Sequence, residues 1–199
     1  MHTITARAVR DWNECCNLCG QPLISARRRC PSCRTIERFS ALDGIHPVLP
    51  YQLYGHVLLA AWKLEGNRRF GPFFASLLEP ALRTDVLAGR VLVPVPPRPG
   101  KIRSRGWDQV EDLAVILEKK FGIQVSRCLV RTGGRQQKKL GRLDRAVNLC
   151  GAFEVCAGVP DSAVLLDDLV TTGATLDSCA DVLRAAGSRT VRALTLFHD

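Results

Sequence analysis

The chain has 199 residues, 46% of them hydrophobic, which suits one α/β domain of common size plus a small appendage. Its 28 Lys and Arg against 19 Asp and Glu give a net charge of +9, so polyanionic company is expected, either the pyrophosphate of a nucleotide precursor or a nucleic-acid backbone. No run of about 18 apolar residues exists, and Met1-His2-Thr3-Ile4-Thr5-Ala6-Arg7 lacks the apolar stretch of a signal peptide, so membrane insertion and secretion are not expected and a cytoplasmic location is.

In chain order, the first pattern is Cys16-x2-Cys19 and Cys30-x2-Cys33, two pairs with ten residues between them. Turn residues surround both, Gly20-Gln21-Pro22 after the first and Pro31-Ser32 inside the second, so the pairs form knuckles that can converge on one tetrahedral Zn²⁺. A redox Cys-x-x-Cys would open a helix in a βαβ context, which residues 1–50 do not show. The doublet Cys15-Cys16 leaves open which neighbour is the ligand. With so little apolar sequence, a zinc-ribbon-like module of this size needs the metal for much of its folding energy. Cys128, Cys150, Cys156 and Cys179 lie in apolar or helical surroundings and are expected to be small core residues.

Gly44 and the prolines that follow, through Pro50, predict a linker from the metal module, residues 1–44, into a second unit, residues 45–199. Residues 51–64 form a helix closed by Glu65-Gly66, and residues 70–86 a second one burying Phe73, Phe74, Leu77, Leu78 and Leu82. The β-branched run 91–96 reads as a strand stopped by Pro96-Pro97. Arg98, Lys101, Arg103 and Arg105 then crowd one segment without an acid, ahead of a helix over 107–120. Strands at 126–130 and 152–155 flank a glycine-rich basic segment, and a strand at 162–166, a helix at 174–186 and a strand at 190–197 complete the chain. Such alternation predicts an α/β fold with a doubly wound parallel sheet.

The sharpest motif lies in the last part. The apolar run Val164-Leu165-Leu166 ends on Asp167-Asp168, and Thr171-Thr172-Gly173-Ala174-Thr175 follows at the expected start of a helix. Free backbone N–H groups and the positive dipole end there favour a phosphate, and the hydroxyls of Thr171, Thr172 and Thr175 can donate to its oxygens. Gly173 would let the backbone approach closely. Carboxylates cannot hold a phosphate, so Asp167 and Asp168 should face ribose hydroxyls and a Mg²⁺ ion. A strand capped by an Asp-rich turn with threonine N-caps is the plainer alternative; the coincidence of the whole pattern favours a sugar-phosphate site.

This segment resembles the signature of type I phosphoribosyltransferases, which bind 5-phosphoribosyl-1-pyrophosphate (PRPP). The resemblance implies that Asp167 and Asp168 hold the ribose hydroxyls, while Thr171, Thr172, Gly173, Ala174 and Thr175 hold the 5′-phosphate with Mg²⁺ present. Across nearly the whole chain, the four-cysteine module, Tyr54-Gly55, Lys63-x2-Gly66, Val93-Pro94-Val95-Pro96, Arg105-Gly106-Trp107-x-Gln109, Gln137-x2-Leu140-x4-Arg145-x2-Asn148 and the acidic motif together resemble the ComF/GntX family. Where that family usually has Asn, this chain has Asp108, so an amide-donor role does not carry over. The family is named from natural competence, which implies a role in uptake of transforming DNA. The candidate partners are then PRPP, single-stranded DNA, a competence helicase and a further copy of the chain. Arg98, Arg103, Arg105 and Lys63 are candidate contacts to pyrophosphate, and Gln137 and Arg145 fall in a loop long enough to close over the substrate. Two functions follow: phosphoribosyl transfer to an acceptor, or a DNA-binding competence factor that uses Trp12, Trp62 or Trp107 as stacking surfaces. The amidotransferase of purine synthesis is not expected, since no glutaminase half with an N-terminal cysteine precedes the motif.

Overall fold

The computed structural model describes residues 12–24, 28–35, 39–132 and 151–199, apart from the side chains of residues 53, 54 and 105. Its centre is a four-stranded parallel sheet of β1 (Gly44–Pro50), β2 (Val91–Pro94), β5 (Ser162–Val170) and β6 (Thr190–His198) in the order β1-β6-β5-β2. The middle strands are covered on both faces, which is why they read as continuous apolar runs: Ala163, Val164, Leu165 and Leu166 are all at 0% exposure. A separate antiparallel ribbon pairs β3 (Leu129–Arg131) with β4 (Phe153–Val155), so the chain is not parallel throughout.

Five helices pack around the sheet or between its strands: α1 (Pro31–Thr35), α2 (His56–Lys63), α3 (Phe70–Leu82), α5 (Gln109–Phe121) and α6 (Ala174–Ala185), with the short α4 (Lys101–Arg105) inside the basic loop after β2. One face carries Leu59, Trp62, Phe74, Leu78, Leu113 and Leu117 from α2, α3 and α5. The other carries Leu176, Cys179 and Leu183 from α6, together with the four module cysteines and Phe39, Leu42 and Ile45. The sheet is therefore doubly wound, and the metal module is part of one of its two cores.

Several sequence expectations are corrected here. The proposed linker is the strand β1, with Pro47 and Pro50 inside it. Proline lacks a ladder donor and is tolerated on an edge strand, which β1 is. The module covers that edge: Ile45 N donates to Leu18 O at 2.9 Å, and Trp12 Nε1 to Pro47 O at 3.1 Å. Strand β5 runs through both carboxylates to Val170 rather than ending on them. Helix 51–64 opens with one wide π-turn, Tyr51–Gly55, before α2 begins. Trp62 lies at 0% exposure against Phe74 and offers no stacking surface. Cys128 and Cys179 are core residues as expected, whereas Cys156 is exposed, and Cys150 lies outside the described residues. No helix among the described residues is long and apolar enough to cross a membrane.

Candidate functional site

The strands' C-terminal ends open onto a cleft of about 750 Å³. Asp167, Asp168, Thr171 and Thr175 line it from the end of β5 and the turn beyond, Lys63 from α2, and Arg98, Lys101 and Ser104 from the loop after β2. Because successive side chains of a strand point to opposite faces, the two carboxylates divide the cleft between the two cores.

Asp168, nearly buried at 5%, faces the α2 and α5 side. Its Oδ2 accepts from Lys63 Nζ at 2.7 Å and from the amide of Gln109. Gln109, at 3% exposure, presents its amide oxygen to Lys101 Nζ, so one buried amide links a carboxylate to a lysine of the basic loop. Lys101 Nζ also donates to Asp108 Oδ2 at 2.6 Å. The other oxygen of Asp108 caps α5, accepting from Val110 N and Glu111 N at 3.0 Å each. Asp108 is thus an acceptor on both oxygens, and the carboxylate that replaces the usual Asn is explained by the lysine it meets. The spacing Asp108-x-x-Glu111 is a helix-start signal, and sequence reasoning that used it would have found this cap. It missed Gln109 as the bridge, because a glutamine in a motif carries no sign of what it faces.

Asp167 faces the α6 side. Its Oδ1 accepts from Asp168 N at 2.8 Å. Burial, then the neighbouring Asp168 carboxylate, pushes its acid well above the usual carboxylate range, to about 8. Arg131 of β3 lines the same cleft and lies over the Phe153 ring at 4.9 Å. Burial and then the Arg98 charge lower the Arg131 guanidinium, while Cys179 and Asp167 pull it up. The Asp167 and Asp168 side chains are also within hydrogen-bond reach of each other.

Next to the cleft, residues 169–176 and Asp167 enclose a cavity of about 50 Å³ at the start of α6. Thr171, Thr172, Gly173, Ala174 and Thr175 all line it. The N-cap Gly173 has no side chain to cap this helix, and Ala174 N donates to Thr172 Oγ1 at 3.4 Å, which leaves the next N–H groups of the first turn for an anion. Gly173 has φ of 80°, and a Cβ there would sit 2.5 Å from Phe39 Cε1. The close approach that requires glycine is therefore to Phe39, which leads out of the metal module, and not to the ligand side. Four residues after Gly173, the Asp177 carboxylate accepts from the backbone of Ser40, Ala41 and Leu42 at 3.0 to 3.1 Å. The loop and the segment leaving the module are built against each other.

The Sγ atoms of Cys16, Cys19, Cys30 and Cys33 all lie within 4.8 Å of one another, and Cys15 stands outside this group. Four thiolates on one Zn²⁺ at ~2.3 Å lie roughly 3.8 Å apart, and Cys19 and Cys30 are 3.8 Å apart. The donor set fits zinc. Burial raises the Cys16 thiol, but backbone N–H groups of Cys19, Cys30 and Leu18 outweigh it and bring the thiol down to about 7. Cys33 is pushed up to about 11 by burial, and Cys19 is pushed up by burial too, so the metal displaces protons when it binds.

Of the other expected site residues, Arg98 lines the cleft and Arg103 is exposed and does not line it. The side chain of Arg105, and Gln137 and Arg145 entirely, lie outside the described residues. Trp107 is half-buried under Arg68, 5.7 Å from its ring centroid.

The site thus lies at the C-terminal end of a doubly wound parallel sheet, with paired acids ahead of a helix start and a four-cysteine module packed into one of the two cores. The chain is 26% identical over 138 residues to competence protein ComFC of Streptococcus pneumoniae, a match covering 69% of this chain and 60% of that protein's length. No family model matches the chain. Among solved structures it is similar to the glutamine PRPP amidotransferase of B. subtilis complexed with ADP and GMP, at 17% identity and a TM-score of 0.39 over 64% of this chain and 25% of that one. It is also similar to a hypoxanthine phosphoribosyltransferase of Staphylococcus aureus, at 16% identity and a TM-score of 0.39 over 66% of this chain and 65% of that one.

Proposed function

We propose that the protein binds PRPP, with Mg²⁺, across the cleft and the adjoining loop cavity. The observation that carries this reading is the placement of Asp167 and Asp168 near the C-terminal end of β5, a few residues before the start of α6, in a cleft also lined by Lys63, Lys101 and Arg98. The 5′-phosphate takes the 171–175 loop, the ribose hydroxyls take the two carboxylates, and the pyrophosphate takes the cations of the 98–101 loop. Two carboxylates at the ribose end also suit Mg²⁺, which keeps several waters and uses substrate oxygens; bound there it would neutralise pyrophosphate charge.

Transfer, in this reading, breaks the C1–O bond to pyrophosphate and forms a C1–N bond to a nitrogen nucleophile, with the bonding pair leaving on the pyrophosphate. Lys101 and Arg98 lower the cost of that charge, and Gln109 keeps Asp168 and Lys101 in a fixed relation. Asp167 and Asp168 position the ribose. The metal module of residues 1–44 serves a structural role beside the domain of residues 45–199. We read the protein's cellular role as uptake of DNA by analogy with its pneumococcal relative, with single-stranded DNA as a partner held by basic surface.

Thermal denaturation with ligand tests the binding claim. PRPP with Mg²⁺ raises Tm of the native protein and leaves that of Asp168→Asn nearly unchanged; equal shifts in both would remove Asp168 from the site.

A further inference from the structure

Four buried side-chain polar atoms among the described residues have no hydrogen-bond partner: Trp62 Nε1, Arg90 Nε, Thr190 Oγ1 and Arg192 Nε. Three of the four belong to one neighbourhood, at the N-terminal ends of the strands and thus at the opposite end of the sheet from the cleft. Arg90 directly precedes β2, Thr190 opens β6, and Arg192 follows two residues later on the same face. On the neighbouring strands, Ser162 pairs with Thr190 and Gly44 with Arg192. His46 of β1 is 7% exposed and lies on this face, its Nε2 3.2 Å from Arg192 Nη1. The Trp12 ring packs on it with centroids 4.7 Å apart.

Arginine charge dominates here, with Asp43 the acid that acts on it. Burial, then Arg192 and Arg90, push the His46 imidazole down to about 4. Burial and then Arg90 lower the Arg192 guanidinium. Asp43 pulls in the other direction, yet its carboxylate is already engaged by Arg184 Nη2 at 2.6 Å and Val191 N at 2.8 Å. Neither Arg90 nor Arg192 forms an ion pair among the described residues. Water could accept from the orphaned N–H groups, but it would leave the two positive charges uncompensated where solvent is partly excluded.

We propose that Arg90, Thr190 and Arg192 form a second ligand site, which takes the phosphoryl group of a small molecule. Two planar guanidinium forks and one hydroxyl are the donor types that a tetrahedral oxyanion accepts. The side chains of Arg90, Thr190 and Arg192 are half-buried, and His46, with the Trp12 ring packed on it, stands beside Arg192. Free phosphate and the phosphate of a mononucleotide share this chemistry.

The test is titration of the full chain with inorganic phosphate and, separately, with AMP, followed by the His46 ring resonances in NMR and by Trp12 fluorescence. Expected is a saturable change at His46, with its pKa rising by more than one unit as an anion replaces uncompensated charge. Arg192→Gln and Arg90→Gln each weaken it at least tenfold, whereas Lys101→Gln, in the PRPP cleft, leaves it intact. Tighter binding of AMP than phosphate assigns the source to nucleotides, and the reverse to free phosphate. Thr190→Val serves if an arginine variant fails to fold: its hydroxyl has no partner to lose, so the variant folds and binds phosphate several-fold more weakly. A His46 signal that does not move, one reproduced by chloride at equal ionic strength, or one indifferent to Arg90→Gln and Thr190→Val overturns the proposal.

Discussion

At the scale of the residue, the two adjacent aspartates are chemically unequal, because strand geometry sends them to different surroundings. Asp168 has a lysine and an amide as partners, whereas Asp167 is half-buried beside that carboxylate, and desolvation and the like charge push its acid up to about 8. A group whose acid strength is weakened on folding contributes stability below its unfolded pKa and loses it as pH rises toward the folded one, here from the ordinary 3.8 to about 8. Asp167→Asn should therefore raise Tm relative to the native protein at pH 8 to 9, and a lower Tm there would contradict the assignment. Ligand binding that needs an ionised Asp167 releases a proton, so PRPP affinity should rise with pH between 6 and 8. Calorimetry in buffers of different ionisation enthalpy reads that proton directly. The acid pair was legible in the sequence as a pair; their inequality was not, because it depends on Lys63 and Gln109, which lie 105 and 59 residues away.

Among elements, the start of α6 is held from behind by the segment that leaves the metal module. Phe39 fills the space that a side chain at residue 173 would need, and Asp177 gathers three successive N–H groups of residues 40–42. Gly173→Ala meets both a left-handed φ and the Phe39 ring, a cost of about 1–3 kcal/mol by typical strain values, and circular dichroism melts should show it as a clear fall in Tm. Asp177→Ala leaves those N–H groups unpaired and should raise hydrogen exchange at residues 40–42 before the rest of the sheet. The helix and the acidic strand were readable from apolar periodicity and turn residues. Strand β1 was not, since Pro47 and Pro50 signal a break unless the strand lies at an edge, and edge position is a property of the assembled sheet. The same holds for Asp108, whose replacement of the usual Asn makes sense only once Lys101 is seen beside it.

For the whole molecule, the four cysteines, the edge strand and the start of α6 form one continuous structure, with the module cysteines and α6 in a single core. Removing zinc with a chelator should lower Tm and weaken PRPP binding together, although no cysteine lines the cleft. A module that loosened without any change in PRPP affinity would mean that the contacts through Phe39 and Asp177 do not carry to the ligand. The cysteine spacing made the four-cysteine cluster legible from sequence, but nothing in it showed that the module is fused to one face of the sheet. The central claim is a working PRPP site, and calorimetric titration of the zinc-loaded protein with PRPP, with and without Mg²⁺, tests it most directly. Saturable micromolar binding that depends on Mg²⁺ and weakens at least tenfold in Asp168→Asn is the predicted result; the absence of binding heat with the protein folded and zinc-loaded would contradict it.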